Sequence, residues 1–126
     1  METASIMSVG FERNRWLGAR VAVIAGNVAN ADTPGYKARD IAPFGATMSA
    51  VRIEQARTRP THLAFDDGPN RAFDIAPRAA AASKHSGNAV SLETEMASLG
   101  DARSEQAKVA GILGAFHRML LASAKG

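Results

Sequence analysis

Cysteine is absent from the 126-residue sequence, so no disulfide framework, thiolate nucleophile or cysteine-ligated metal can operate in it. Aromatic residues are scarce, at 6%, and much of the 46% apolar content is alanine. Alanine buries little area, so an isolated copy has a thin core and is expected to draw stability from partners. No stretch reaches the ~18 apolar residues that suggest a membrane-spanning helix. Runs of like charge are missing too. The formal charge of +3 arises in residues 1–63, with eight Lys/Arg against five Asp/Glu, while residues 64–126 carry seven of each. Without a basic stripe beside exposed aromatics, nucleic acid is not an expected partner.

Constellations that carry chemistry are missing as well. His62, His85 and His117 stand apart, with no carboxylate or second histidine at ligand spacing, so no metal site is expected. Ser83, Ser86 and Ser91 near His85 lack the framing of a nucleophile elbow or a Ser-x-x-Lys motif. Asp66-Asp67 lies in a turn-rich stretch, and no phosphate-binding loop surrounds Gly111 or Gly114. The chain reads as a non-enzyme with no cofactor and no small-molecule substrate.

One segment imitates a secretion signal. Arg13, Arg15 and Arg20 precede Val21-Ala22-Val23-Ile24-Ala25, and Ala29-Asn30-Ala31 resembles a small-residue cleavage site. The apolar stretch is interrupted by Gly26 and Asn27, so a cleaved leader is not expected. A secreted or periplasmic helical binding protein that loses residues 1–31 remains the rival reading.

Two amphipathic stretches are present. Asn14, Leu17, Val21, Ile24, Val28 and Ala31 follow one another at intervals of 3, 4, 3, 4 and 3, the spacing of a coiled-coil stripe. Arg13, Arg15, Arg20 and Asn27 fall mostly off it. This predicts a helix over about residues 9–31, with Ser8 as N-cap and Gly10 weakening its start. Thr33 is held extended by the proline after it, and Pro34-Gly35 suits the centre of a type II turn.

The second stretch predicts a helix over about 91–122. Ser91 can cap it, and Glu93 and Glu95 place negative charge in the first turn, where the helix dipole favours it. Its seam runs through Leu92, Met96 and Leu99, then polar positions at Arg103 and Gln106, then Val109, Leu113, Phe116 and Leu120. The fold expected is mainly α: one domain over 1–126, in which the two terminal helices form a discontinuous antiparallel coiled-coil hairpin. Residues 32–90 are a loop-rich insertion. Phe44, Met48 and Val51 allow a short middle helix, and the composition of 66–88 reads as a mobile loop.

The segment Asn27-Val-Ala-Asn-Ala-Asp-Thr-Pro-Gly-Tyr-Lys-Ala-Arg-Asp40 ends the first helix and redirects the chain. Asn27, Asn30, Thr33, Pro34, Gly35, Tyr36, Lys37, Arg39 and Asp40 in this order resemble the Asn-x-x-Asn-x-x-Thr-Pro-Gly-Tyr stretch of the axial proteins of the bacterial flagellum. Phe44, Thr61-His62-Leu63 and Gly87-Asn88-Ala89-Val90-Ser91-Leu92-Glu93-Thr94-Glu95-Met96 extend the likeness along nearly the whole chain. They point within that family to the proximal rod, with another rod or hook protein as the alternative. One departure is Arg103–Ala107, which lacks a tyrosine often found there.

The resemblance implies a structural subunit of the basal-body rod, the drive shaft crossing the periplasm. It implies terminal helices of many copies packed in a tubular layer, with Leu17, Val21, Ile24, Val28 and the second seam as packing residues. Expected partners are further copies, other rod proteins, the rod–MS-ring junction and the type III export gate. Export would proceed without a cleaved signal peptide.

Overall fold

A computed structural model describes residues 2–48, 73–78 and 90–125. Helix α1 spans Glu2–Ala29, strand β1 Arg39–Ile41, strand β2 Ile75–Pro77 and helix α2 Leu92–Lys125. The helices lie antiparallel: Gly10 abuts Leu113, Gly18 lies beside Gln106, and Asn27 bonds Glu95. The helical hairpin expected from the sequence is therefore present.

The first helix begins earlier than its sequence suggests. It runs unbroken from Glu2 through Ser8 and Gly10 rather than starting near residue 9. Glycine in a helix costs about 1 kcal/mol relative to alanine, but here it permits close approach. A Cβ on Gly10 would stand 2.5 Å from Leu113 Cδ2. At the other end the helix closes as expected. Asn30 N–H donates to Gly26 O, and Thr33 N–H to Asn30 O. Tyr36 N–H then donates to Thr33 O at 3.2 Å, and Gly35 sits at φ +75°. That is the type II turn across Pro34-Gly35.

The seam of α2 is shifted from the sequence reading. Its inward positions are Glu95, Leu99, Ala102, Gln106, Val109, Leu113 and Phe116, at intervals of 4, 3, 4, 3, 4 and 3. Leu92 and Met96 are instead 52% and 53% exposed, and Arg103 faces outward. An acid at position 95, rather than the leucine and methionine beside it, sets the phase, because a polar partner awaits it on α1. Leu120 is also exposed. Leu113 already lies against Gly10, so antiparallel geometry carries Leu120 level with the first turn of α1.

A two-stranded antiparallel sheet lies against α1, with Arg39 opposite Pro77, Asp40 opposite Ala76 and Ile41 opposite Ile75. Ala42 N–H donating to Asp74 O and Arg78 N–H donating to Ala38 O extend the ladder at both ends. Pro77 donates nothing, as suits an edge strand. The expected mobile loop over 66–88 thus contains a strand at 75–77; its remainder, apart from 73–78, lies outside the described residues. The expected middle helix is represented by residues 44–48, whose first turn closes through Ala46 and Thr47 N–H donating to Pro43 O. Val51 lies outside the described residues.

Trp16, Leu17 and Ile41 form the hydrophobic centre, with Ala19, Phe44, Phe73 and Val109 packed around it. Trp16 had no place in the predicted stripe, since it sits one residue before Leu17. It is buried because α1 is covered on two sides, by α2 and by the chain around β1. Trp16 and Phe44 meet edge to face with centroids 6.0 Å apart, a favoured aromatic geometry. The Arg13 guanidinium lies 4.7 Å from the Trp16 ring centroid and 5.0 Å from that of Phe44, and it pairs with Glu105 of α2. Among the described residues, no helix is long and apolar enough to cross a membrane.

Candidate functional site

Asn27 is the centre of a polar clasp at the closed end of the hairpin. It is fully buried, although the sequence placed it off the apolar stripe. Its Nδ2 donates to Arg39 O at 2.8 Å and to Glu95 Oε2 at 2.9 Å. Its Oδ1 accepts from Arg39 N–H at 2.9 Å and from the Tyr36 hydroxyl at 3.2 Å. An asparagine amide has two donors and an acceptor with two lone pairs, so this side chain is saturated. By engaging both main-chain groups of Arg39, it also acts on the start of β1 as a neighbouring strand would.

Glu95 is the second buried member, at 1% exposure. Its other oxygen, Oε1, accepts from Arg78 Nη1 at 2.6 Å, and Arg78 Nη2 reaches Asp40 Oδ2 at 3.3 Å. Asp40 Oδ1 in turn accepts from Ile41 N–H at 2.9 Å and stands 3.9 Å from Arg20 Nε. The clasp therefore links α1, β1, the residue after β2 and the first turn of α2. A buried carboxylate is tolerated when hydrogen-bonded and paired, and here both oxygens are engaged.

The remaining motif residues divide by position. Asn30 Nδ2 donates to Gly26 O at 2.8 Å, and its Oδ1 accepts from Thr33 Oγ1 at 3.3 Å. Both bonds hold the end of α1. Pro34 and Gly35 form the turn, while Lys37 and the Arg39 side chain face outward. The motif is thus more than a helix stop. It supplies an internal partner for α2.

An apolar groove of about 360 Å³ opens at the other end of the hairpin. Ile6, Val9, Gly10, Phe44, Ile112 and Leu113 contribute to its walls. Of its lining residues Ile6 is 57% exposed, Val9 39% and Ile112 66%, and Met119, seven residues beyond Ile112 on α2, is 61% exposed. Of the predicted packing residues, Leu17 and Ile24 are buried between the elements. Val21, Val28, Leu99, Val109, Leu113 and Phe116 are half-buried, and Leu92, Met96 and Leu120 are exposed. The hairpin uses part of its apolar surface and leaves the rest open. Among the described residues, no group of three or more His, Asp or Glu could hold a metal ion.

Sequence reasoning missed three of the residues that organise this arrangement. Glu95 was assigned only to the helix dipole, yet its 4- and 3-residue spacing to Leu99 and Ala102 places it on the seam. Trp16 was hidden by its offset from the stripe. Arg78 carried no signal, because its partners come from two distant parts of the chain, around Asp40 and at Glu95.

Known proteins resemble this chain. The family model described as "Flagella basal body rod protein" matches residues 10–37, from the glycine under Leu113 to the end of the Pro-Gly turn. The flagellar basal body rod protein FlgB of Agrobacterium fabrum is 33% identical over 99% of this chain and 96% of its own length. The FlgB of Proteus mirabilis is 31% identical over 65% of this chain and 66% of its own length.

Proposed function

This chain belongs to the flagellar basal body rod protein family, and from that membership we propose that it builds the rod by packing its open apolar surface against neighbouring subunits. It is a structural subunit of the basal-body rod and assembles with other rod components. The observation that carries the packing mode is the set of uncovered apolar side chains on both helices at the open end, Ile6, Val9, Ile112 and Met119 among them. A monomer rarely exposes so many large apolar groups together unless they meet a partner. In the rod, Leu92, Met96 and Leu120 face neighbours rather than α1, while Leu17, Val21, Ile24 and Val28 hold the hairpin.

The finer reading is that the subunit lies in the proximal rod, next to the junction with the MS ring. It leaves the cell through the flagellar type III export gate and acts in the periplasm without catalysing a reaction or binding a small molecule. Its work is mechanical: two long helices joined by a saturated polar clasp transmit torque along their axes. Complementation of a strain lacking its own proximal rod protein tests this, with imaging of the basal bodies. Rods that extend past the MS ring and restored swimming are expected. Basal bodies still arrested at the ring, with the chain expressed, would remove the proximal assignment.

Export without a cleaved leader rests on a different observation. Trp16, Leu17, Ile24 and Asn27 are buried parts of the hairpin, and loss of residues 1–31 would remove all four. Intact mass of the chain recovered from basal bodies is expected to include residues 1–31. A mass short by about thirty residues would favour the secreted binding protein instead.

A further inference from the structure

The geometry points to the buried Asn27–Glu95 pair, braced by Arg78, as the pin that sets the register of α1 against α2. Two helices meeting along a regular stripe can slide by seven residues and meet the same kind of surface again. The notch at Gly10 takes Leu113, and a seven-residue slip would offer it Leu120, another leucine, while Gly18 and Ala102 offer little to interlock. Apolar contact alone therefore distinguishes poorly between neighbouring registers. A single buried polar position does distinguish them, because only one register satisfies it.

The alternatives can be enumerated. Sliding α2 one way by seven residues brings Ala102 opposite Asn27, whose Nδ2 loses its carboxylate, and carries Glu95 beyond the end of α1. Sliding it the other way brings Glu95 opposite Arg20 and leaves Asn27 beyond the start of α2. Each slip also pulls Glu95 away from Arg78, which β2 and Asp40 hold in place. The native register alone keeps the amide saturated and the carboxylate paired at both oxygens.

This role goes beyond holding the hairpin together, and it deepens the rod reading. Register determines how Ile6 and Val9 of α1 stand against Ile112 and Met119 of α2 at the open end, and so the shape of the face offered to a neighbour. Asn27, Glu95 and Arg78 are thus positioning residues for assembly.

The test reads register inside one chain and needs no assembly, so its outcome is separate from that of the rod assignment. The natural sequence lacks cysteine, which makes crosslinking clean. Asn14→Cys, which the Gly10–Leu113 and Gly18–Gln106 contacts place level with residue 110, is combined with Ala110→Cys, His117→Cys or Arg103→Cys in the full chain, treated with a short bis-maleimide, and helicity is followed by circular dichroism. The first pair reports the native register, and the other two report the seven-residue slips. With the clasp intact, only the 14–110 pair is expected to link efficiently. With Asn27→Leu and Glu95→Leu together, helicity is retained and the 14–117 or 14–103 product rises to a level comparable with 14–110. A single 14–110 product in the leucine variant overturns the inference. So does loss of helix in that variant, which would make the pair a requirement for folding.

Discussion

The indole N–H of Trp16 donates to the carbonyl oxygen of Ala42 at 2.8 Å. One bond therefore ties the middle of α1 to the chain leaving β1. It positions the segment that begins at Phe44, whose ring packs on the same indole. Trp16→Phe keeps an aromatic ring but leaves the Ala42 oxygen without its donor, which costs about 1–3 kcal/mol. Trp16→Ala also empties the centre of the core, for about 3–5 kcal/mol. Urea unfolding followed by circular dichroism should rank wild type above Trp16→Phe and that above Trp16→Ala. Equal midpoints for the first two would show that the indole bond contributes nothing.

Two glycines of α1 make opposite predictions. At Gly26 an added methyl group would have nothing within 4 Å, whereas at Gly10 it would meet Leu113. Gly26→Ala should therefore gain about 0.8–1 kcal/mol of helix propensity. Gly10→Ala gains the same locally but forces Leu113 aside, and overpacking costs about 1–3 kcal/mol. The second effect is the larger, so Gly10→Ala should lower stability. Leu113→Ala in the Gly10→Ala background should cost less than Leu113→Ala alone, and additive effects would exclude the contact as the cause.

Gly35 is a third case, decided by backbone conformation rather than by space. Nothing crowds it, but its φ of +75° lies in the left-handed region. A side chain there costs roughly 1–2 kcal/mol. Gly35→Ala should destabilise by about that amount, and Gly35→Asn by less, since asparagine tolerates this conformation better. Equal losses for alanine and asparagine would mean that something other than the dihedral angle selects glycine.

The brace at Arg78 should behave asymmetrically on truncation. Arg78→Ala leaves the buried Glu95 carboxylate with one partner, and breaking a buried pair from one side costs about 3–5 kcal/mol. Glu95→Gln removes the charge while its amide oxygen can still accept from Arg78, so its cost should be smaller. In the Arg78→Ala background Glu95→Gln should recover part of the loss, because no charge is then stranded. A double-mutant cycle measures this, and strictly additive values would deny the coupling.

The residues involved show why part of this architecture was readable in advance and part was not. Leu17, Ile24, Val109 and Leu113 announce two helices because local periodicity and burial coincide in them. Pro34 and Gly35 announce the turn because their allowed dihedral angles leave few other choices. Glu95 gives a conflicting signal: a first-turn acid already has a local explanation, and its burial depends on Asn27, 68 residues away. β2 is three residues long, ends on Pro77 and leaves Ile75 exposed, so neither alternation nor propensity marks it. What escaped the sequence was pairing between distant polar groups, which leaves no period.

The open end supplies the prediction that separates assembly from folding. Leu113 and Val21 are half-buried in the hairpin, so an aspartate at either would burden the subunit itself as well as any interface. Ile112 is 66% exposed and Met119 61%, so an aspartate there meets water in the free chain and changes its stability within about 0.5 kcal/mol. In an assembled rod the same carboxylate would be buried against a neighbour without a partner, a cost of several kcal/mol. Ile112→Asp and Met119→Asp should therefore leave expression and helicity unchanged while abolishing swimming. Glu93→Gln, on the exposed polar face near the other end of α2, should leave swimming intact. Normal motility in both aspartate variants would remove the open end from the rod interface and leave Leu92 and Met96, on the outer side of the clasp, as the face to test next.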